Sequence, residues 1–133
     1  MRKKLRIFLA DDNPSEAPLL LQGFVECGVD VDIHAAKDGE DALAQLTQDS
    51  SSFDLVVLDY YLPKRTGGEV VQALVAAAAF PQCPVVILTS TLPEELRIKA
   101  LNLGVSAVLD KPGDLDGYNK LASRLLQIVG SEA

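Results

Sequence analysis

Five short apolar runs alternate with five longer segments of helical periodicity, and this alternation constrains the fold more than any other feature of the chain. The runs are Leu5–Ala10, Val31–Ala35, Leu55–Leu58, Pro84–Thr89 and Ser106–Leu109. The helical segments are Ser15–Glu26, Gly39–Gln48, Gly68–Ala79, Glu94–Leu103 and Leu115–Val129. Strands that alternate with helices pair through crossovers, which gives a parallel sheet with helices on both faces. Leu55-Val56-Val57-Leu58 and Val85-Val86-Ile87-Leu88 are apolar at every position, as strands covered from both sides must be. Val31-Asp32-Ile33-His34-Ala35 alternates instead, which suits an edge. For 133 residues the economical arrangement is one doubly wound α/β domain of strand order 2-1-3-4-5.

Punctuation supports these bounds. Asn13-Pro14-Ser15 is a turn running into a helix, and Asp38 stands where an N-cap belongs. Pro93 is predicted at a first-turn position, with Glu94 and Glu95 meeting the positive end of the helix. Gly28 and Gly104 fall where helix ends take a left-handed residue. No internal repeat, linker or low-complexity tract interrupts the pattern.

Composition narrows the function. Nineteen acidic against twelve basic residues give a formal charge of −7, which argues against a nucleic-acid surface, since phosphate binding needs a basic face. Cys27 and Cys83 lack metal-type spacing and read as reduced thiols of a cytoplasmic protein. The start, MRKKLRIFLADD, opens like a signal peptide, but its apolar run from Ile7 to Ala10 is too short and ends in two acids. Nothing approaches the roughly 18 apolar residues of a membrane span. No membrane partner is expected.

In a doubly wound sheet, ligands bind beyond the carboxyl ends of the strands, where the strand order reverses. Here that point lies between the first and third strands, which end in Asp11-Asp12 and in Asp59. Two ionised carboxylates about 4 Å apart repel by roughly 4 kcal/mol at an effective dielectric near 20. Either one carboxyl holds a proton, or a cation sits among them. Oxygen ligands in a partly open site suit Mg²⁺, which keeps waters and often shares its sphere with phosphate. Thr89 ends the fourth strand and Lys111 follows the fifth, on the same rim. Carboxylates, hydroxyl and ammonium together make a place for a tetrahedral anion.

With those positions placed, the chain resembles a response-regulator receiver domain of two-component signalling. The resemblance covers residues 5–129 and rests on the paired acids, LDYYLP with the following TGG, VVILTS and DKP. DDNPSE, AKDGEDAL, LPKRTGGEV and KPGDLDGYNKL further resemble stand-alone regulators that accompany phytochrome-type histidine kinases. The resemblance implies a flavodoxin-like (βα)5 fold, one domain over residues 1–133 without an output domain, and a phosphoryl group received on Asp59 from a histidine kinase. It implies Mg²⁺ bound by Asp12 directly, with Asp11 in support, and by Asp59 and the backbone carbonyl of Tyr61, whose side chain is then free to vary. It also implies that Lys111 holds a phosphoryl oxygen and that Thr89 moves toward the phosphate. Output would pass to a downstream protein or a phosphotransfer protein, with a homodimer through the fourth helix, fifth strand and fifth helix as a further implication. Arg97, Lys99, Asp110, Lys120 and Arg124 are the charges available there.

One residue departs from the family pattern. Val108 stands three before the lysine, where the family commonly has Tyr or Phe, so the usual coupling of threonine to an inward-turning ring lacks its ring. The signal would instead leave through the loop after the fourth strand and the fourth helix, or the domain binds partners regardless of phosphate. Val70 to Phe80 carries no charge, which reads either as a docking face or as an alanine-rich helix close to the sheet. His34 reads as a solvated histidine. An enzyme of the haloacid-dehalogenase phosphatase kind needs a second acid two residues after its aspartate nucleophile, and Tyr61 occupies that position. A nucleotide or flavin module needs glycine-rich phosphate loops, and the chain has neither G-x-G-x-x-G nor G-x-x-x-x-G-K-[ST].

Overall fold

The computed structural model describes residues 4–49 and 52–132, so the expected limits of 1–133 and part of the basic start lie outside the described residues. The elements are β1 (Leu5–Ala10), α1 (Glu16–Glu26), β2 (Val31–Ala36), α2 (Gly39–Gln48), β3 (Leu55–Asp59), α3 (Gly67–Ala76), β4 (Val85–Thr89), α4 (Glu94–Asn102), β5 (Ala107–Asp110) and α5 (Leu115–Glu132). All strand pairs are parallel, in the order β2-β1-β3-β4-β5, which is the doubly wound order expected. Every residue of β3 and β4 is buried, whereas edge strand β2 buries only Val31 and Ala36.

The two-residue period of a strand divides the core into two layers. Phe8, Val56, Leu58 and Ile87 face α2, α3 and α4, where they meet Leu46, Val71, Leu74 and Ala100. Ile7, Leu9, Val57 and Leu88 face α1 and α5, where they meet Leu20, Phe24, Leu121 and Leu125. The second layer is tight. A Cβ on Gly23 would lie 2.5 Å from the Tyr118 carbonyl oxygen, so only glycine lets α1 and α5 approach this closely.

Asp38 caps α2 as expected, its carboxylate accepting the Asp41 N–H at 2.7 Å. Gly28 and Gly104 take positive φ of 76° and 116°. Pro93 is corrected from a first-turn residue to the N-cap of α4. Helix α3 starts one residue earlier than predicted, because Thr66 and Glu69 form a capping box. It also stops at Ala76 rather than Ala79. Ala78 adopts φ 54°, and the Ala79 and Ala78 N–H groups donate back to Leu74 and Val75 at 2.9 and 3.1 Å. This closing turn usually takes glycine. Tertiary packing overrides the helix preference of the alanines here, since Phe80 must turn in against the core.

The exposed residues of this uncharged stretch are Gln72, Val75 and Ala76 to Ala78. His34 is exposed on the edge strand, as a solvated histidine would be, and also has ring and side-chain neighbours. Its ring stacks 6.0 Å from Phe8, and its Nε2 lies 2.6 Å from Gln45 Oε1. Both cysteines are free, and burial pushes the Cys83 thiol up to about 11. No helix among the described residues is long and apolar enough to cross a membrane.

Candidate phosphoryl site at the strand ends

Strand β1 delivers Asp11 to the rim, where its N–H continues the β1–β2 ladder to the Ala36 carbonyl at 3.0 Å. The Asp11 side chain accepts the Asn13 N–H at 2.9 Å, and Asn13 in turn accepts the Ser15 N–H at 3.0 Å, so the turn into α1 is built from side-chain bonds. Strand β3 delivers Asp59. The Tyr60 N–H donates to Leu88 at 2.8 Å, which fixes the chain beyond the acid. Gly67 then lets α3 start directly behind it, since a Cβ there would lie 2.7 Å from the Asp59 carbonyl. Lys111 is set by its N–H, which donates to the Thr89 carbonyl at 3.0 Å.

These placements bring the predicted residues together. Carboxylate oxygens of Asp11, Asp12 and Asp59 all lie within 4.8 Å of one another, with Asp11 and Asp59 buried and Asp12 exposed. Lys111 Nζ reaches across the cluster, donating to Asp59 Oδ2 at 3.1 Å and lying 2.9 Å from Asp11 Oδ2. The second approach is the shorter of the two but less well aligned as a hydrogen bond, so the lysine charge is the main partner of the buried Asp11 Oδ2. Burial, and next the charge of Asp11, raises the Asp59 pKa, while Lys111 and the Tyr61 N–H act in the opposite sense. Burial opposes the charge of Lys111 in turn, but Asp11 and Asp59 outweigh it and hold the ammonium well above its ordinary range.

The donor set fits a divalent cation. It offers hard carboxylate oxygens, a buried Asp11 oxygen whose hydrogen-bonding capacity is not filled by alignment with Lys111, and an exposed third member that leaves room for water. Beside Asp12 lies a hollow of about 290 Å³ lined by Leu9, Pro14, Ala17, Ala36 and Lys37.

Thr89 is fully buried, and its hydroxyl donates to the Thr91 carbonyl at 2.9 Å. Val108 is buried in the layer facing α4, and its carbonyl accepts Arg97 Nη1 at 2.9 Å. Two features escape sequence reading. The Tyr61 side chain has a partner of its own, its phenol donating to the same Thr91 carbonyl at 3.2 Å. Behind the acids, buried Glu16 accepts the Tyr118 hydroxyl at 2.8 Å through Oε2, while its Oε1 has no partner. Burial raises the Glu16 pKa, against the Tyr118 bond that lowers it. Tyr61 stands out in the sequence by its place two residues after Asp59, but its partner Thr91 lies 30 residues away. Glu16 and Tyr118 are 102 residues apart, and nothing local announces the pair.

Fold and site together define a doubly wound parallel α/β domain with an acid cluster and a lysine at its switch point. Residues 7–122 match the model of the response regulator receiver domain, and the chain belongs to that family of two-component systems. It is 32% identical over 108 residues to the transcriptional regulatory protein HprR of Escherichia coli, covering 81% of this chain and 45% of that one. It is 30% identical over 126 residues to transcription factor SKN7 of Chaetomium thermophilum, covering 93% of this chain but 16% of that protein. The chain therefore spans less than half the length of these curated relatives. Among solved structures, the phosphorylated cyanobacterial phytochrome response regulator RcpA superposes with a TM-score of 0.83 at 26% identity, over 98% of this chain and 97% of that one. The Mn²⁺-bound form of response regulator Rcp1 gives a TM-score of 0.76 at 27% identity, over 90% of each chain.

Proposed function

We propose that this receiver domain is a phosphorylation-dependent switch that takes a phosphoryl group from a histidine kinase onto Asp59. The observation that carries the reading is the buried Asp59 carboxylate, hydrogen-bonded to Lys111 at 3.1 Å and facing two further carboxylates. An Asp59 oxygen attacks the phosphorus of a phosphohistidine, the N–P bond breaks with its electron pair returning to the imidazole, and an acyl phosphate forms. Later attack by water releases inorganic phosphate and restores the carboxylate. Lys111 neutralises a phosphoryl oxygen, and the Thr89 hydroxyl turns to donate to another.

Asp11, Asp12 and Asp59, with the Tyr61 backbone carbonyl, would hold Mg²⁺. When bound, the ion supplies charge neutralisation for the transferring group. The relatives support a divalent ion, since the solved Rcp1 structure is a Mn²⁺-bound form. Receiver domains work with histidine kinases and downstream effectors. For this chain we assign the output to a protein contact or a phosphotransfer step in the cytoplasm, with a dimer through α4, β5 and α5 as one form of it. In that region Arg97 already binds Val108 and Glu94, and Lys120 pairs with Asp116 at 3.1 Å. Lys99 and Arg124 are the remaining basic candidates for a contact between copies.

Acetyl phosphate with Mg²⁺ tests the reading. One acid-labile phosphate per chain is expected by intact mass, lost in Asp59→Asn and on chelation of the metal. Undiminished labelling of Asp59→Asn would sink the assignment.

A further inference from the structure

The Thr91 carbonyl, in the loop between β4 and α4, accepts two hydroxyls: Thr89 Oγ1 at 2.9 Å and Tyr61 Oη at 3.2 Å. A carbonyl oxygen has two lone pairs, so the two donors do not exclude each other. A threonine hydroxyl has only one proton to give. Thr89 therefore donates either to Thr91 or to an oxygen carried on Asp59, and whatever fixes the Thr91 carbonyl biases that choice.

Tyr61 is built to fix it. The residue is 54% exposed, but its ring rests edge-on against Tyr60, with centroids 4.9 Å apart. The Tyr60 ring is seated in turn over Gly68, where an added Cβ would meet it at 2.9 Å. The phenol thus reaches from the strand that carries Asp59 to the loop that follows Thr89. Val108, buried near the loop on the α4 side of the sheet, has neither a polar side-chain atom nor a ring to do this.

We infer that Tyr61 is a positioning residue of the phosphoryl site: it holds the Thr91 carbonyl as the acceptor for Thr89 and so keeps that hydroxyl turned away from Asp59. The inference rests on Asp59 being the phosphoacceptor. When Thr89 turns to a phosphoryl oxygen, the loop keeps one of these two bonds, and Tyr61 carries the remaining strain.

Fluorine NMR of protein labelled with 3-fluorotyrosine tests this, because the chain has only three tyrosines and Tyr61→Phe assigns the resonance. Without metal or phosphodonor, Thr89→Val is expected to shift the Tyr61 resonance, while Thr89→Ser, which keeps the hydroxyl, leaves it in place. Beryllium fluoride with Mg²⁺ should move the same resonance. Tyr61→Phe should bind beryllium fluoride about three- to tenfold more tightly, the factor expected for one net hydrogen bond. It should also speed amide exchange at Thr91 and Leu92, a readout that stands even if Thr89→Val fails to fold. A Tyr61 resonance indifferent to Thr89→Val, or unchanged exchange and affinity in Tyr61→Phe, would overturn the inference. Failure of the wild-type protein to take up beryllium fluoride would instead count against Asp59 as acceptor, and the metal-free measurements would still decide the role of Tyr61.

Discussion

The α1–α5 pair and helix α4 are fastened in different ways. On the α1–α5 side, Leu20, Phe24, Leu121, Ala122 and Leu125 are buried, Gly23 presses on the Tyr118 backbone, and the Glu16–Tyr118 bond closes the layer behind the acids. On the other side, α4 buries only Ala100, leaves Ile98 and Leu101 exposed, and is tied to β5 by Arg97 on the Val108 carbonyl. Its preceding loop bears the two hydroxyls on Thr91. Helices with few buried apolar contacts open at lower free energy than well-packed ones. The loosely held helix α4 thus follows the loop that bears Thr91, while α2 and α3 in the same layer are packed through Leu46, Val70, Val71 and Leu74.

The contrast breaks most visibly at Gly23. Gly23→Ala drives a methyl to within 2.5 Å of a backbone oxygen, and we expect a loss of about 2 kcal/mol in urea unfolding despite the better helix propensity of alanine. Unchanged stability would mean that the α1–α5 layer gives as readily as α4. Arg97→Ala is expected to cost about 1 kcal/mol, the net worth of one hydrogen bond, and to raise amide exchange in α4 while leaving α1 protected. Equal acceleration in both helices would erase the distinction. The smallest effect concerns Glu16. Its pKa is raised above the ordinary 4.5, so the folded state binds the proton more tightly than the unfolded chain. Its contribution therefore weakens stability as pH rises from that value through the raised one. Glu16→Gln, which can still accept the Tyr118 hydroxyl, should melt higher than wild type at neutral pH and converge with it in acid. A difference independent of pH would assign the effect to packing alone.

Much of the frame was legible because it depends on local pattern. Continuous apolar runs marked β3 and β4, alternation marked β2 as the edge, and Asp38 and the two glycines marked helix ends. The acids and Lys111 could be placed on one rim because strand order follows from parallel crossovers. The misses are tertiary. Ala78 adopts a left-handed conformation that its residue type disfavours, because Phe80 must turn inward. The roles of Tyr61 and Glu16 depend on Thr91 and Tyr118, partners supplied by other elements, and no periodicity within one segment encodes such pairs.

The reach of Lys111 between Asp11 and Asp59 has a consequence for charge balance. Three carboxylates and one ammonium leave the rim two negative charges in excess, which a single divalent cation would cancel. Asp11 and Asp59 now share the one ammonium of Lys111, and a cation held by Asp11, Asp12 and Asp59 would supply positive charge that Lys111 alone does not. The rim is then best described as an exchange of counterions: occupancy at one carboxylate decides how much positive charge is available to the next.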